Sequence, residues 1–354
     1  MSLDNSHLRE RPGLAVRPLE AGDEARWDAF VEGCPEATFF HLSGWKTALE
    51  RGLGHRAPFL LAEREGAVEG ILPLGHLRSW LFGNALVSTP FCVYGGVAAV
   101  SDEARRALEE EALRMAEDKG VDFLELRHRQ PRHPDWPARR DRYATFRKTL
   151  DPDPDVNFAG IRRKQRAEIR KGIQAGLQAE VDPDVERFFP VYAESVRNLG
   201  TPVFPKRFLR TLKEVFGADC EVLVIRHGGR VLSGVLSFYF RSEVLPYYGG
   251  SVREARAVSA NDFMYWALMR RAVEAGVAVF DFGRSKTDSG AYHFKRHWGF
   301  EPVPLHYEYR LVRSREVPDV SPANPRYQRL ISAWRHLPLP VTRAVGPWIA
   351  RSLG

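Results

Sequence analysis

The sequence predicts an α+β protein in which one supersecondary unit is used twice, each copy a mixed sheet flanked by helices, followed by a helical tail. Three observations carry this expectation, each occurring twice at a separation of about 155 to 165 residues, far longer than a solenoid repeat. The first is a pair of alternating β-rich runs broken by glycine, "FLLAEREGAVEGILPLGHL" at 59–77 and "VLVIRHGGRVLSGVLSFYF" at 222–240. Alternation on both sides of a Gly turn predicts a hairpin. The second is a further strand ending in a Gly pair, "VYGGV" at 93–97 and "YYGGS" at 247–251. The third is an amphipathic helix that stops at Gly and runs into a closing strand. Leu108, Ala112 and Met115 stripe the first helix, and Phe263, Trp266, Met269, Ala272 and Val273 stripe the second. The closing strands are "VDFLELR" at 121–127 and "VAVFDFGR" at 277–284.

Helical stretches are expected ahead of each hairpin, at 27–31 and 42–51 in the first copy and across 156–217 in the second. The Pro- and charge-rich segments "HPDWPAR" and "DPDPD" mark the join, and "YATFRKTL" at 143–150 reads as the opening strand of the second copy. The expected division is a first domain at 12–140, a second at 141–312 carrying the active site, and a basic helical extension at 313–354.

Composition narrows the class. A chain of 354 residues fits two domains, and 44% hydrophobic with 27% charged residues is that of a globular protein. No apolar run approaches the roughly 18 residues of a membrane span, and the N-terminus lacks a secretory profile, so a cytoplasmic location is expected. Cys34, Cys92 and Cys220 are odd in number and far apart, which predicts reduced thiols rather than a disulfide framework or zinc site; no metal is expected. The net charge of +7 favours anionic partners, and much of it comes from the tail, where seven Arg face only Glu316 and Asp319.

The order of elements resembles a tandem pair of GNAT-type acyltransferase folds and, more narrowly, the Fem family of aminoacyltransferases. The stretches that carry the resemblance are "VNFAGIRRKQRAEIRKG", "ANDFMYWALMRRAVEAGVAVFDFG" and "FKRHWGF", within a span of about 20 to 312. Members add amino acids to the peptide of peptidoglycan precursors from aminoacyl-tRNA. The resemblance therefore implies an N-acyltransferase acting on an amine of a cell-envelope, peptidoglycan or exopolysaccharide precursor. It implies no tightly bound cofactor and a donor co-substrate, aminoacyl-tRNA or acyl-CoA. This sequence lacks the family's long coiled-coil insertion, matches its Trp-containing helix only in part at "FHLSGWKTALE", and adds a tail that resembles Fem-like proteins of exosortase and exopolysaccharide systems.

Acyl transfer to an amine needs a positioned donor, an amine lone pair and positive charge or donors at the developing oxyanion. By resemblance Lys295 supplies the last. Asp281 orients Arg284 or takes the amine proton, and His293 is a second candidate base. Phe294, Trp298 and Phe300 read as core anchors around them. Arg162, Arg166 and Arg170 share one helix face, with Arg163, Lys164 and Lys171 beside them and Ile161, Ile169, Ile173 and Leu177 as the apolar stripe. That face suits phosphates of a nucleotide- or lipid-linked precursor, or tRNA; no feature points to DNA. Tyr248, Arg284 and Ser285 complete the expected substrate site, with the first copy as the opposing wall. Two other readings stay open: an acetyl-CoA-dependent GNAT enzyme, although no Gly-rich loop precedes the helix at 260, and a non-catalytic module binding RNA or an anionic membrane. Tyr327, Leu330, Ile331 and Trp334, then Val341, Val345, Trp348 and Ile349, give the tail two amphipathic helices, packed on the domains or resting peripherally on the inner membrane surface.

Overall fold

The computed structural model describes residues 13–80, 82–139, 142–317 and 325–353. In the second copy the alternating run becomes strands Cys220–His227 and Arg230–Phe240. They turn at Gly228 and Gly229, whose φ angles of 55° and 82° lie where a side chain would be strained. The sheet runs in the order Gln178–Asp182, Cys220–His227, Arg230–Phe240, Glu243–Ser251, Val279–Asp281, Tyr143–Thr149 and Ser285–Lys286, with Pro302–Pro304 also on Tyr143–Thr149. Glu243–Ser251 and Val279–Asp281 are parallel, and their register holds only Glu243 against Val279 and Val244 against Phe280. Beyond that the two strands part.

The first copy divides its strands between two sheets. Leu14–Pro18, Leu60–Arg64, Ala67–Leu72 and Ala98–Ala99 form one; Leu74–Ser79, Gly83–Ser88, Phe123–His128, His306–Leu311 and Ala138–Arg139 form the other. Where the second copy has the single strand Arg230–Phe240, the first has Ala67–Leu72 and Leu74–Ser79 with Pro73 between them. A proline has no N–H to give the ladder, so the strand breaks there. The expected strand at 93–97 is instead a buried loop, and the strand before it is Gly83–Ser88. Its glycines serve that loop, because Gly95 and Gly96 both turn their N–H groups to the Arg127 carbonyl at 3.1 Å. The stretch 156–217 is not wholly helical either. Strand Gln178–Asp182 interrupts it, between helices Arg163–Gln174 and Phe188–Leu199.

The last strand crosses over. His306–Leu311 pairs antiparallel with Phe123–His128 through six residues and with Ala138–Arg139 on its other side, so the end of the second half completes the sheet of the first. A shared core joins the halves as well. Phe39, Trp45 and Phe40 of the first pack with Phe216 and Phe238 of the second, the Phe39 and Phe238 rings stacking at 4.4 Å.

Helices Pro325–His336 and Leu339–Ala350 lie on helix Phe188–Leu199, held by Arg335 to the Leu199 carbonyl and Arg343 to the Pro190 carbonyl. The Arg351 carbonyl reaches His55 of the first half at 2.5 Å. Leu330, Val341, Val345 and Trp348 remain exposed on the outer side. The side chain of Tyr327 lies outside the described residues. No described helix is long and apolar enough to cross a membrane.

The crossover makes each half dependent on the other. Residues 13–141 expressed alone lack the strand between Phe123–His128 and Ala138–Arg139 and are expected to be insoluble or to lack cooperative unfolding. Coexpression with 142–354 is expected to restore a soluble complex with one thermal transition. A soluble, cooperatively melting 13–141 fragment would overturn this.

Candidate active site

Asp281 ends the strand at the point where its parallel neighbour leaves, and it is fully buried. Its Oδ1 accepts the Gly283 N–H at 2.7 Å and faces the Thr145 hydroxyl at 3.4 Å; its Oδ2 lies 3.4 Å from the Tyr94 hydroxyl and 3.2 Å from Arg147 Nε. Tyr94 donates to Thr145 Oγ1 at 2.8 Å. Burial raises the Asp281 pKa, with Arg147 acting against it. The cation beside Asp281 is thus Arg147, which also pairs with Glu243, and not Arg284 as the sequence suggested.

Arg284 turns the other way. Its guanidinium lies over the rings of Tyr143 and Tyr307 at 4.7 and 5.7 Å and donates to the Tyr307 hydroxyl at 3.1 Å. Arg127 covers Tyr307 at 5.1 Å, so two arginines, one from each copy of the repeat, meet at one tyrosine.

Lys295 is buried, 8% exposed, on helix Gly290–His297. Its Nζ donates to the carbonyls of Phe282, Gly283 and Arg284 at 2.7, 3.0 and 3.1 Å. All three N–H directions of an ammonium are taken up in holding the turn that follows Asp281. Burial pushes its pKa down to about 7, with Asp281 pulling upward and Arg284 adding to the depression. Trp298 and Phe300 are fully buried behind it and Phe294 is half-buried, as core anchors. His293, two positions from Lys295 on the same helix, is exposed. The Ser285 hydroxyl is buried without a partner, and so is that of Tyr248, ringed by Tyr192, Phe204 and Phe208.

A cleft of about 560 Å³ opens over Tyr94, Thr145 and Arg147, side chains that contact Asp281. Tyr94, Arg127, His128, Arg129 and Arg132 wall it from the first half, and Thr145, Arg147 and Pro304 from the second. Arg129 forms no ion pair among the described residues and lies over the Tyr94 ring at 5.5 Å, while Arg132 pairs with Glu36 at 2.6 Å. Behind His128 sits a polar cluster. Burial holds His128 down to about 3; His133, against the cost of burial, is held up at about 9 by hydrogen bonds to Glu109 and Glu308. The first copy, expected only as the opposing wall, therefore carries a polar cluster of its own. Sequence reasoning missed Tyr94, Thr145, Arg147 and the wall at 127–133; the signal for the wall was "RHRQPRH", five basic or imidazole side chains in seven residues.

The basic helix Arg163–Gln174 lies on helix Ala260–Glu274, through Gln165 to Asp262 at 2.8 Å and Ser259 to Glu168 at 2.5 Å. Its buried side is Gln165, Ile169 and Gly172; Ile173, expected in the stripe, is exposed, because Gly172 takes the contact with Phe263. Arg162, Arg163, Arg166 and Arg170 form no ion pair among the described residues, and Arg170 lies over Phe158 at 5.1 Å. Helix Ala260–Glu274, on which this basic helix lies, has no side-chain cap at its start.

A family model for the acetyltransferase (GNAT) domain matches residues 159–296, which include the basic helix, Asp281 and Lys295. No curated protein matches the sequence. Among solved structures, FemX superposes with a TM-score of 0.64 at 15% identity, covering 90% of this chain and 100% of that one. The C-terminal domain of a putative lysylphosphatidylglycerol synthetase from Agrobacterium fabrum gives 0.57 at 14%, covering 81% and 91%. A tandem GNAT protein from the clavulanic acid biosynthesis pathway gives 0.54 at 15%, covering 86% and 100%. The class these define is the tandem GNAT fold, mixed sheets flanked by helices in two copies, here with added C-terminal helices.

The Lys295 amine yields a pH test. Its pKa is 10.5 in an unfolded chain and about 7 when folded, so between those values the unfolded state binds the extra proton. Stability from this group therefore rises with pH across that window and is lost as pH falls toward 7. The stability difference between wild type and Lys295→Met, read from urea midpoints, is expected to change between the two ends of the window, favouring wild type at the alkaline end. An unchanged difference would overturn the assignment.

Proposed function

We propose that this protein is an N-acyltransferase that passes an acyl or aminoacyl group to an amine on an anionic precursor held in the cleft between its halves. The observation that carries the reading is Asp281, buried where the two parallel strands part and reaching the cleft through Tyr94 and Thr145. The amine attacks the donor carbonyl, a C–N bond forms, and the C–O or C–S bond to the donor breaks. The proton lost by the amine passes toward Asp281, whose raised pKa suits it to accept, and is returned to the departing hydroxyl or thiol of the donor. Arg147 stands at the floor as a donor for the oxyanion, while the Tyr94 hydroxyl, which donates to Thr145, links the cleft to Asp281. Arg129 and Arg132 take the acceptor's phosphate or carboxylate. In this reading Lys295 is a positioning residue, fixing the turn at 282–284 through its three carbonyls.

The donor's phosphates are assigned to the uncapped start of helix Ala260–Glu274 and the arginine-rich helix packed on it, with the helix dipole and the free guanidinium groups of Arg162, Arg163 and Arg166 as the attracting charges. Both aminoacyl-tRNA and acyl-CoA present such phosphates. The resemblance to Fem enzymes favours the first and the match to an acetyltransferase domain favours the second. A cell-envelope or exopolysaccharide precursor as acceptor agrees with the tail, whose exposed Leu330, Val341, Val345 and Trp348 stand among arginines and suit a peripheral position on the inner membrane surface.

Purified protein is expected to transfer label from aminoacyl-tRNA or from acyl-CoA to an amine-bearing nucleotide- or lipid-linked precursor, with the product read by mass spectrometry. Asp281→Asn and Tyr94→Phe, both still cooperatively folded, are expected to lower kcat, the former by about 10²- to 10⁴-fold. Arg129→Ala is expected to raise KM for the acceptor about tenfold, the loss of one charged hydrogen bond, with kcat nearly unchanged. Full turnover in Asp281→Asn would remove it from the mechanism, and steeply salt-dependent RNA or vesicle binding with no acyl product would replace the reading with a binding module.

A further inference from the structure

Three elements bring carboxylate and imidazole groups together behind the first-half wall of the cleft. Glu109 comes from helix Asp102–Asp118, His128 from the end of strand Phe123–His128, and His133 from the loop that follows. One ligand-capable atom from each lies within 4.8 Å of the others. His133 Nε2 is 3.2 Å from Glu109 Oε2, and its Nδ1 is 2.7 Å from Oε2 of Glu308, which is fully buried on the crossing strand. His128 Nε2 is 3.8 Å from the same Glu308 oxygen.

The hydrogen bonds leave this group unfinished. His128 Nε2 and Glu109 Oε1 are buried and have no partner, and His128 as a whole is 4% exposed. With the Nδ1 proton of His133 given to Glu308, the Nε2 lone pair of His133 faces the Glu109 carboxylate, a contact that needs a proton or a cation between them. A proton would satisfy His133 and Glu109 Oε2 but would leave His128 Nε2 and Glu109 Oε1 unpartnered in a buried place, which is costly. One cation bound to all three groups satisfies them at once.

We propose that Glu109, His128 and His133 bind one divalent transition-metal ion of the Zn²⁺ type, with Glu308 orienting His133 from behind. Two imidazoles and one carboxylate are a donor set that suits zinc, and a carboxylate on the far nitrogen of a ligating histidine is its usual support. Bonds of roughly 2.0–2.2 Å would draw the donor atoms somewhat closer than they stand. A water completes the coordination. The ion's place in the fold gives it a task. Arg129 and Arg132 lie between the two histidines, so the metal pins the segment that carries the cleft's cations to helix Asp102–Asp118. No local spacing in the sequence points to this group, because Glu109 lies far along the chain from His128 and His133 and meets them only in the fold. The assignment holds whatever the substrate of the cleft.

The test uses the full chain, purified from zinc-supplemented cells and dialysed against metal-free buffer, with metal measured by plasma mass spectrometry. About one ion per chain is expected, with loss of most of it in His128→Ala and Glu109→Gln and an affinity about 10- to 100-fold weaker in Glu308→Gln. Removal of the ion from wild type by dipicolinate is expected to lower the melting temperature, and Zn²⁺ to restore it. Co²⁺ in its place should give the visible absorption of a tetrahedral site, a readout independent of any variant. Wild-type protein with metal well below stoichiometric and no cobalt spectrum would mean that water alone fills the cluster and would overturn the proposal, as would full metal content in a folded His128→Ala.

Discussion

The joint between the halves rests on an alternating stack of cations and rings. Arg127 lies over Tyr307, Arg284 over Tyr307 and Tyr143, and Arg142 over Tyr143 at 5.4 Å. The polar edges are also used: Arg127 donates to Glu125 at 2.6 Å and to the Cys92 carbonyl at 2.8 Å, and Tyr307 donates to the Val93 carbonyl at 2.9 Å. A desolvated cation over an aromatic face contributes about 2 kcal/mol or more, but a buried guanidinium without its partners would cost more than that. The stack therefore holds as a unit. It joins strand Phe123–His128, the buried loop at 91–97, strand Tyr143–Thr149, the turn after Asp281 and the crossing strand. Of these five segments, strand Phe123–His128, the loop at 91–97 and strand Tyr143–Thr149 line the cleft, together with the loop after His128.

The duplication explains why the stack exists. Glu125 and Asp281 occupy corresponding places in the two closing strands, each followed by an apolar residue and, one or two positions on, an arginine. Facing copies would bring two buried acids and two buried arginines to one joint. Tyr307 separates the arginines, Glu125 is committed to Arg127, and Arg147 is left to balance Asp281. The copies thus use the same acid differently. In the first it anchors the joint; in the second it is balanced by Arg147 and faces the hydroxyls of Tyr94 and Thr145, which line the cleft.

Much of the architecture was legible in the sequence because it rests on local signals: period-two alternation, Gly turns, the amphipathic helices and their recurrence. The crossing of His306–Leu311 was not, since "HYEYRL" alternates like any strand and nothing local names its partner. The loop at 91–97 was misread for a related reason. Its glycines resemble a strand end, but they are required by close approach to Arg127 and His128, where a Cβ on Gly96 would lie 2.3 Å from His128 Nδ1. At the site, the 279–300 stretch drew attention to Asp281, yet residue type could not say that Lys295 would spend its donors on three carbonyls or that Arg284 would face a tyrosine. Tyr94, Thr145 and Arg147 carry no motif and become visible only through long-range packing.

Lys295 shows how the apolar and polar parts of that stretch depend on each other. The turn Phe282–Gly283–Arg284 directs three successive carbonyls to one side, an arrangement with no backbone partner that would be costly if buried alone. A lysine ammonium, with three N–H donors, is the side-chain group that can answer all three, and it does so from helix Gly290–His297, whose seat is set by Trp298 and Phe300 in the core. The aromatics thus place the helix, the helix places the amine, and the amine holds the turn. The turn in turn presents the Gly283 N–H to Asp281 and sends Arg284 to the stack. A site that looks like a string of reactive residues is, at its base, a rigid loop whose polarity is satisfied from within, leaving the Asp281 oxygens as the groups with hydroxyl contacts toward the cleft.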